Sequence, residues 1–206
     1  MTIKVISEPA YEPVSRALAK TWLKIDDNTD HDTIVDMLIK AMREDAENLT
    51  NRAFISRQLR LYLPAWPTCE GGNMFVLPHP PLISVESITY RDLNGDQQTL
   101  ASDQYVVHAW KEPAIIVPEW NVSWPSIRSL PDCIQVNYTA GYAPGSPADE
   151  AGAQEVMPAK LKLWMQAKAA TLFRGREQYV TGNLVRVPRD FTDGLLDSLV
   201  IGSRLF

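Results

Sequence analysis

Proline is concentrated in the middle of this 206-residue chain. Twelve of its fifteen prolines lie between Pro64 and Pro158. Proline has no backbone N–H to donate, and inside a helix its ring clashes with the preceding turn. In a sheet it is tolerated at edges and turns. This density excludes long helices from the middle of the chain and favours short strands joined by turns.

The same region contains two segments that alternate apolar and polar residues. Residues 58–63 and 133–138 both have a period of two, which is the pattern of a strand with one buried face. The predicted inward positions are Leu59, Leu61, Leu63, Ile134, Val136 and Tyr138. We therefore expect two half-buried strands here.

A hairpin is predicted from residues 83–91 and 97–100. Asn94-Gly95 separates these two segments, and this dipeptide readily adopts the positive φ angles of a type I′ turn. Residues 105–110 and 114–117 are weaker strand candidates. Together these segments predict an antiparallel, β-rich region.

Helical patterns lie on both sides of the β-rich region. Residues 14–25 predict a short helix with Leu18 and Trp22 on one face. Residues 32–49 predict a longer amphipathic helix. Its predicted apolar side carries Ile34, Leu38, Ala41, Met42 and Leu49, and its polar side carries Asp36, Lys40, Arg43 and Glu47. Asp45 falls near the centre of the apolar side, which indicates a subunit contact or a hydrogen bond between helices.

A last long helix is predicted over residues 158–176, because proline is favoured in a first helical turn. One apolar side carries Leu161, Met165 and Leu172, and another carries Leu163, Ala167 and Ala170, with Trp164 between them. We expect this helix to be covered from two directions. Another subunit is a candidate for one of the two covers.

The final residues form an apolar arm that is too short to have a core of its own. The candidate docking residues are Arg189, Phe191, Leu195, Leu196, Leu199, Arg204 and Phe206. An apolar segment that cannot bury itself needs a surface to lie on. That surface is either a groove in a partner protein, on which the arm orders as it binds, or the chain's own helices. The sequence leaves both open.

The chain is acidic, with a formal net charge of -5, and its charges are unevenly distributed. This balance argues against nucleic acid as the primary ligand, because phosphate binding needs an excess of Lys and Arg. Acids dominate residues 26–47, and bases dominate from residue 158 onward. A head-to-tail contact between identical subunits would pair these regions, and solvated helix faces are the alternative. The candidate interface residues are Asp36, Glu44, Asp45, Lys160, Trp164, Lys168 and Arg174.

Motifs for metal or cofactor chemistry are not indicated. Asp26, Asn28 and Asp30 resemble the start of a calcium loop, but His31 and Met37 stand where Gly and Glu are required. The three histidines lack zinc-ligand spacing. The two cysteines fit no metal spacing and are interpreted as thiols in a reducing compartment. We expect no cofactor, no metal and no catalytic site.

Four tryptophans lie in the β-rich region, namely Trp66, Trp110, Trp120 and Trp124. Tryptophans of this kind either fill a small β core or form a stacking platform for sugars. The second interpretation defines an alternative function, a carbohydrate-binding β module of a tail or fibre protein. A nuclease or hydrolase would instead need clustered Asp, Glu or His at a strand end.

The sequence contains no apolar run near the ~20 residues that span a bilayer, and its first residues lack the apolar core of a secretion signal. We therefore expect no membrane partner and synthesis in the cytoplasm. The expected fold class is α+β. Residues 1–54 and 156–188 form a small helical bundle, residues 55–155 form an antiparallel β-rich insert, and residues 189–206 form a C-terminal docking arm.

Segments along nearly the whole chain carry a family resemblance. They include ISEPAYEPVSRALAKTWLKID (6–26), IVDMLIKAMREDAENLTNRAFISRQLRLYLPAWP (34–67), the hairpin ITYRDLNGDQQTL, VNYTAGYA and the helix that begins at Pro158. In these segments the chain resembles the head-tail connector (adaptor) proteins of long-tailed bacteriophages, related prophages and gene transfer agents. It departs from their pattern at Asn51, where Gly is usual, and in a longer, more apolar tail after Val187.

The resemblance implies a structural virion protein without catalytic activity, located at the head-tail interface and in the host cytoplasm during assembly. Such adaptors form a dodecameric ring beneath the portal protein and extend the DNA channel, through which the genome passes without tight binding. They present a platform for the stopper or tail-terminator protein. If the C-terminal arm docks on a partner, as its apolar residues suggest, we expect that partner to be the portal.

Overall fold

We describe a computed structural model of the chain, in residues 1–9, 11–26, 29–67, 73–142, 154–174 and 194–202. The α+β class is confirmed. In chain order the described elements are β1 (Thr2–Val5), α1 (Arg16–Leu23), α2 (Asp32–Thr50), β2 (Arg57–Leu63), β3 (Phe75–Val76), β4 (Leu82–Arg91), β5 (Gln97–Thr99), a 3₁₀ turn (Ser102–Gln104), β6 (Tyr105–His108), β7 (Ile115–Pro118), β8 (Ile134–Ala140), α3 (Ala159–Arg174) and a second 3₁₀ turn (Asp197–Leu199).

The strands of the described residues form two antiparallel sheets that share one core. The larger sheet has the order β1-β2-β8-β4-β5, and the smaller has the order β3-β7-β6. β2 and β8 pair from Arg57↔Ala140 to Leu63↔Ile134. Inward side chains of both sheets meet in the sheet core, which includes Leu59, Leu61, Ile88, Ile116, Ile134, Val136 and Tyr138. The strands predicted from period two are therefore confirmed, with the predicted residues inside.

The hairpin between β4 and β5 is confirmed, but the predicted turn type is wrong. Gly95 has a φ of +95°, whereas Asn94 does not adopt the positive φ that a type I′ turn requires. The carboxylate of Asp92 holds the turn instead. Its Oδ1 accepts hydrogen bonds from the backbone N–H groups of Asn94 and Asp96 at 2.9 and 3.0 Å.

The first strand was not predicted. β1 pairs antiparallel with β2 from Thr2↔Tyr62 to Val5↔Leu59, so residues 2–5 belong to the sheet and not to the helical bundle expected over 1–54. Its four residues are too few for their alternation to stand out in the sequence. The helical part of the chain thus begins after β1.

The three helices pack on one another around a second, helical core. Ser15 caps α1 through a hydrogen bond from Leu18 N to its Oγ at 3.3 Å, and α1 ends at Lys24, which adopts the left-handed conformation. α2 ends in the same way at Asn51, with a φ of +55°. Glycine is the usual residue at such a position, and asparagine tolerates it.

The buried face of α2 differs from the predicted one. Val35, Ile39, Met42 and Ala46 are buried at spacings of four, three and four residues. The predicted inward residues Ile34, Ala41 and Leu49 are exposed, and Arg43 and Glu47, predicted on the polar side, are buried. The prediction was wrong because the two charged residues satisfy each other inside the protein.

The described part of the C-terminal arm lies on the helices of its own chain. Leu196 is 2% exposed within the helical core, and Leu195 and Leu199 pack against that core. The backbone N–H of Ile201 donates to Thr50 O at 2.9 Å. Of the two surfaces that the sequence left open for these leucines, the structure shows the chain's own helical core. The other candidate docking residues, Arg189, Phe191, Arg204 and Phe206, lie outside the described residues.

We predict that Leu196→Ala lowers the free energy of unfolding by about 2–5 kcal/mol, because it leaves a cavity in the helical core. Val200→Ala is the matched control, since Val200 is 46% exposed and should lose less than about 0.5 kcal/mol. Urea unfolding monitored by tryptophan fluorescence measures both. Equal, small losses in the two variants would show that the segment does not depend on Leu196 for its anchorage.

Candidate assembly surfaces

A buried ionic cluster joins the helices to the sheets. Arg43 of α2 is 2% exposed, and its guanidinium donates to two carboxylates. Its Nε lies 2.8 Å from Glu12 Oε2, and its Nη1 lies 2.9 Å from Glu47 Oε2. A buried ion is costly unless its partners are well placed and its hydrogen bonds are made. This cluster therefore has a defined geometry.

Glu47 determines how the chain leaves α2. Its Oε1 accepts the backbone N–H of Phe54 at 3.0 Å, and its Oε2 lies 3.0 Å from Nη1 of Arg57, the first residue of β2. Phe54 belongs to the helical core, whereas Leu59 belongs to the sheet core. One buried carboxylate thus fixes the chain where it passes from one core to the other.

The environment of this cluster changes the ionisation of its members. Burial raises the pKa of the Glu12 carboxyl, although the hydrogen bond from Arg43 opposes the change. Burial by itself lowers the pKa of Arg43, but Glu12 and Glu47 outweigh burial and the pKa is raised. Burial, together with the charge of Arg57, lowers the pKa of His79. The two carboxylates therefore favour the charged form of Arg43, and burial favours the neutral form of His79.

Arg52, just beyond the end of α2, ties together parts of the chain that are distant in sequence. Its Nε donates to Leu199 O at 2.6 Å. Its Nη1 donates to Glu112 Oε2 at 2.6 Å and to the hydroxyl of Tyr142 at 3.1 Å. The C-terminal segment and the loop between β6 and β7 are therefore held against the same end of α2.

The predicted acidic interface residues divide into two groups. Glu44 and Asp45 are exposed on α2, so Asp45 does not lie in the buried face of the helix. Asp36 instead serves a contact within the chain, because Arg16 Nε donates to its Oδ1 at 2.7 Å. Arg16 also bonds Asp32 through Nη1 at 3.0 Å, so these acids join α1 to α2.

The candidate interface residues of α3 also differ in their surroundings. Trp164 is 1% exposed inside the helical core, which corrects its assignment to a subunit contact. Lys168 lies over its ring, with Nζ 5.7 Å from the ring centroid. Lys160 is exposed, and its Nζ donates to Ser198 Oγ at 3.1 Å. Arg174 is the last residue of α3, and its side chain lies outside the described residues.

Each helix also presents apolar side chains to solvent. They are Leu18 and Trp22 on α1, Ile34, Met37 and Leu49 on α2, and Leu163 and Leu172 on α3. An open groove of about 470 Å³ is lined by Leu18, Thr21, Trp22, Lys24 and Ala170, from α1, its C-cap and α3. Grouped apolar residues on a surface are typical of an interaction site. The sequence pattern did not indicate the α2 part of this surface, because it placed Ile34 and Leu49 on the buried side of the helix.

The four tryptophans of the β-rich region do not form one platform. Trp66 and Trp124 stack with ring centroids 4.6 Å apart and planes 8° apart, next to Phe75. Trp110 and Trp120 are 82% and 85% exposed, and they follow opposite ends of the β6–β7 hairpin. Trp66 and Trp124 are therefore partly buried against the sheet core, as one interpretation predicted, whereas Trp110 and Trp120 lie at opposite ends of a hairpin.

Within the described ranges, no group of three or more His, Cys, Asp and Glu side chains is arranged to hold a metal ion. In the same part of the chain, no helix combines the length and apolar character needed to cross a bilayer.

Solved structures share this fold over almost the whole chain. A chain in the neck of an empty gene transfer agent (GTA) particle, computed with C6 symmetry, has a TM-score of 0.74 and 19% identity. A chain in the virion of a native GTA particle has a TM-score of 0.73 and 19% identity. A chain in the neck of a native GTA particle, computed with C12 symmetry, has a TM-score of 0.67 and 18% identity. Each similarity covers 98% of this chain and 96% of the other.

At these identities, the structural similarity shows the fold. No family model matches the chain. No curated protein matches it.

We predict that Glu47→Gln lowers the free energy of unfolding by about 3–5 kcal/mol, because Arg43 and Arg57 lose a buried counter-charge. Glu44→Gln is the matched control on the same helix, since Glu44 is exposed and lies 3.7 Å from Arg43. Its loss should stay within about 0.5 kcal/mol. Urea denaturation compares the two. A loss below 1 kcal/mol in Glu47→Gln would contradict the role assigned to this carboxylate.

Proposed function

We propose that the chain is a structural subunit of the neck of a phage-like particle, a head-tail connector located between the portal and the stopper or tail-terminator protein. The observation that carries this proposal is the fold shared with GTA neck chains, at a TM-score of 0.74 over 98% of this chain. The connector resemblance of the sequence segments supports the same function. The protein would act by assembly and not by catalysis.

The proposed assembly is a closed ring of identical subunits, twelve in the particle. The similar chains belong to necks computed with C6 and C12 symmetry, which supports a ring for this chain. The exposed apolar residues on all three helices provide surfaces for contacts between neighbours. A heterologous contact closes into a ring when its rotation divides a full turn evenly.

The ring would extend the channel through which the genome passes. A wall rich in Lys and Arg would hold the phosphates by counterion release and impede movement. The net charge of -5 supports a wall that tolerates DNA without binding it tightly. The protein would be present in the host cytoplasm before assembly and in the virion afterwards.

We also propose that the end of the C-terminal arm contacts the portal. The described segment 194–202 is held on the helices by Leu196, Thr50 and Arg52, so it can anchor the residues that follow it. Arg204 and Phe206 then offer a charge and an aromatic ring to the portal. Arg189 and Phe191 precede the anchored segment and keep their proposed docking role.

We predict that loss of the gene yields DNA-filled heads without attached tails, because the connector is missing. Electron microscopy of particles from the producing cell measures the fraction of tailed particles, and expression of the wild-type chain in trans should restore it. Cryo-electron microscopy of restored particles should show this fold in a ring next to the portal. Normal tailed particles in the deletion strain would contradict the proposed function.

We predict that deletion of residues 203–206 abolishes capture by purified portal protein and leaves the free energy of unfolding unchanged, because the anchored segment is retained. Pull-down and urea denaturation measure the two effects. Leu93→Ala, in the exposed β4–β5 turn, is the control and should be captured normally. Unchanged capture of the truncated chain would refute docking by its last residues.

A further inference from the structure

We propose that neighbouring copies of this chain associate by inserting α2 of one copy between α1 and α3 of the next. The inserted surface, the α2 ridge, consists of Ile34, Met37, Ala41, Glu44 and Asp45. The receiving surface, the α1–α3 groove, consists of Leu18, Thr21, Trp22, Lys24 and Ala170. This inference rests on the proposed ring and names the surfaces that would build it.

The α1–α3 groove has an apolar floor. Leu18 and Trp22 lie four residues apart on the outer face of α1 and are 45% and 43% exposed. Ala170 contributes a small side chain from α3, which leaves room between the two helices. The hydroxyl of Thr21 already donates to Ala17 O at 3.0 Å. A third helix that enters the groove would therefore bury apolar surface, and the hydroxyl of Thr21 would keep its hydrogen bond.

The α2 ridge has the matching shape. Ile34, Met37 and Ala41 recur at three- and four-residue spacing and are exposed, with Met37 at 67%. They form a narrow apolar row on a 19-residue helix. In helix packing, a row of side chains at this spacing on one helix fits into the groove between side chains of its neighbours. The flexible side chain of methionine adapts to such a gap.

The two surfaces lie on opposite sides of the helical unit. α1, α2 and α3 pack pairwise on one another, and α2 turns Val35, Ile39, Met42 and Ala46 toward the other two helices. The α2 ridge therefore points away from the groove that α1 and α3 form between them. Two such surfaces meet only between different copies, and the contact repeats in one direction.

Charge selects a second copy as the occupant of the groove. The α2 ridge ends in Glu44 and Asp45, both exposed, and Lys24 is exposed at the end of the α1–α3 groove. The acids at the start of α2, Asp32 and Asp36, already bind Arg16 within the chain. Glu44 lies 3.7 Å from Arg43 of its own helix, so Asp45 is the ridge acid that a partner would meet, and the groove of an identical chain offers a base.

Cysteine cross-linking tests this arrangement. Thr21→Cys and Met37→Cys are introduced together in a Cys69→Ser background, and the purified protein is oxidised at high concentration. We expect a ladder of disulfide-linked dimers, trimers and larger species, because each copy carries one cysteine on each surface. Either cysteine alone should give no ladder. A dimer formed by Met37→Cys alone would overturn the proposal, since it requires a contact between two α2 ridges.

A substitution in the ridge provides the second test. Met37→Glu should reduce association of the otherwise wild-type chain at least tenfold, measured by sedimentation velocity with portal rings as the assembly template. Leu93→Glu is the control, because Leu93 is 68% exposed, like Met37, but lies in the β4–β5 turn. Equal association of both variants would overturn the proposal.

The same experiments separate this inference from the proposed function. Rings of the wild-type chain in electron micrographs, without a disulfide ladder in the double-cysteine variant, overturn the ridge-in-groove contact and leave the connector function standing. Absence of rings, ladder and portal-templated association together overturns both.

Discussion

The carboxylate of Glu47 is the constraint on which the relation between helices and sheets depends. It meets Arg43, the N–H of Phe54 and Arg57 within 3.0 Å at the point where the chain leaves one core and enters the other. Apolar contacts alone are not directional, whereas hydrogen bonds to a buried carboxylate require particular angles. Residue 141 must be glycine for the chain to pass this junction, since a Cβ on it would lie 2.4 Å from Ser56 N. The end of β8 can therefore approach this junction closely.

The strands could be predicted from the sequence because each has one buried face. Leu59, Leu61 and Leu63 are buried and alternate with more exposed residues. Because successive side chains of a strand point to opposite faces, a strand with one buried face shows this alternation in its sequence. β1 has the same alternation but only four residues, and its pairing with β2 depends on a partner more than 50 residues away. The turn at Asn94-Gly95 was misjudged because the side chain of Asp92 supplies the hydrogen bonds that determine it.

The buried face of α2 could not be predicted because the helix carries apolar residues on its exposed side and charged residues on its buried side. A helical pattern assumes that apolar residues lie inside and charged residues outside. Arg43 and Glu47 are buried because they pair, whereas Ile34 and Met37 are exposed on the opposite side. One candidate interface residue was misassigned for a similar reason. Asp36 was assigned to a subunit contact, but its partner Arg16 lies 20 residues away in the same chain, and such a pairing is visible only in three dimensions.

The internal pairing of charges has a consequence for assembly. Side chains that are fixed before association lose less conformational entropy when a partner binds. Arg16 holds the start of α2 against α1, and Arg43 and Glu47 hold its second half against the rest of the chain. The outer face of α2 is therefore presented on a helix held along much of its length. Arg52 also bonds the C-terminal segment at the end of this helix, so the anchor of the arm and the α2 ridge are connected through α2. A contact made through the ridge and one made through the arm would thus be geometrically coupled through α2.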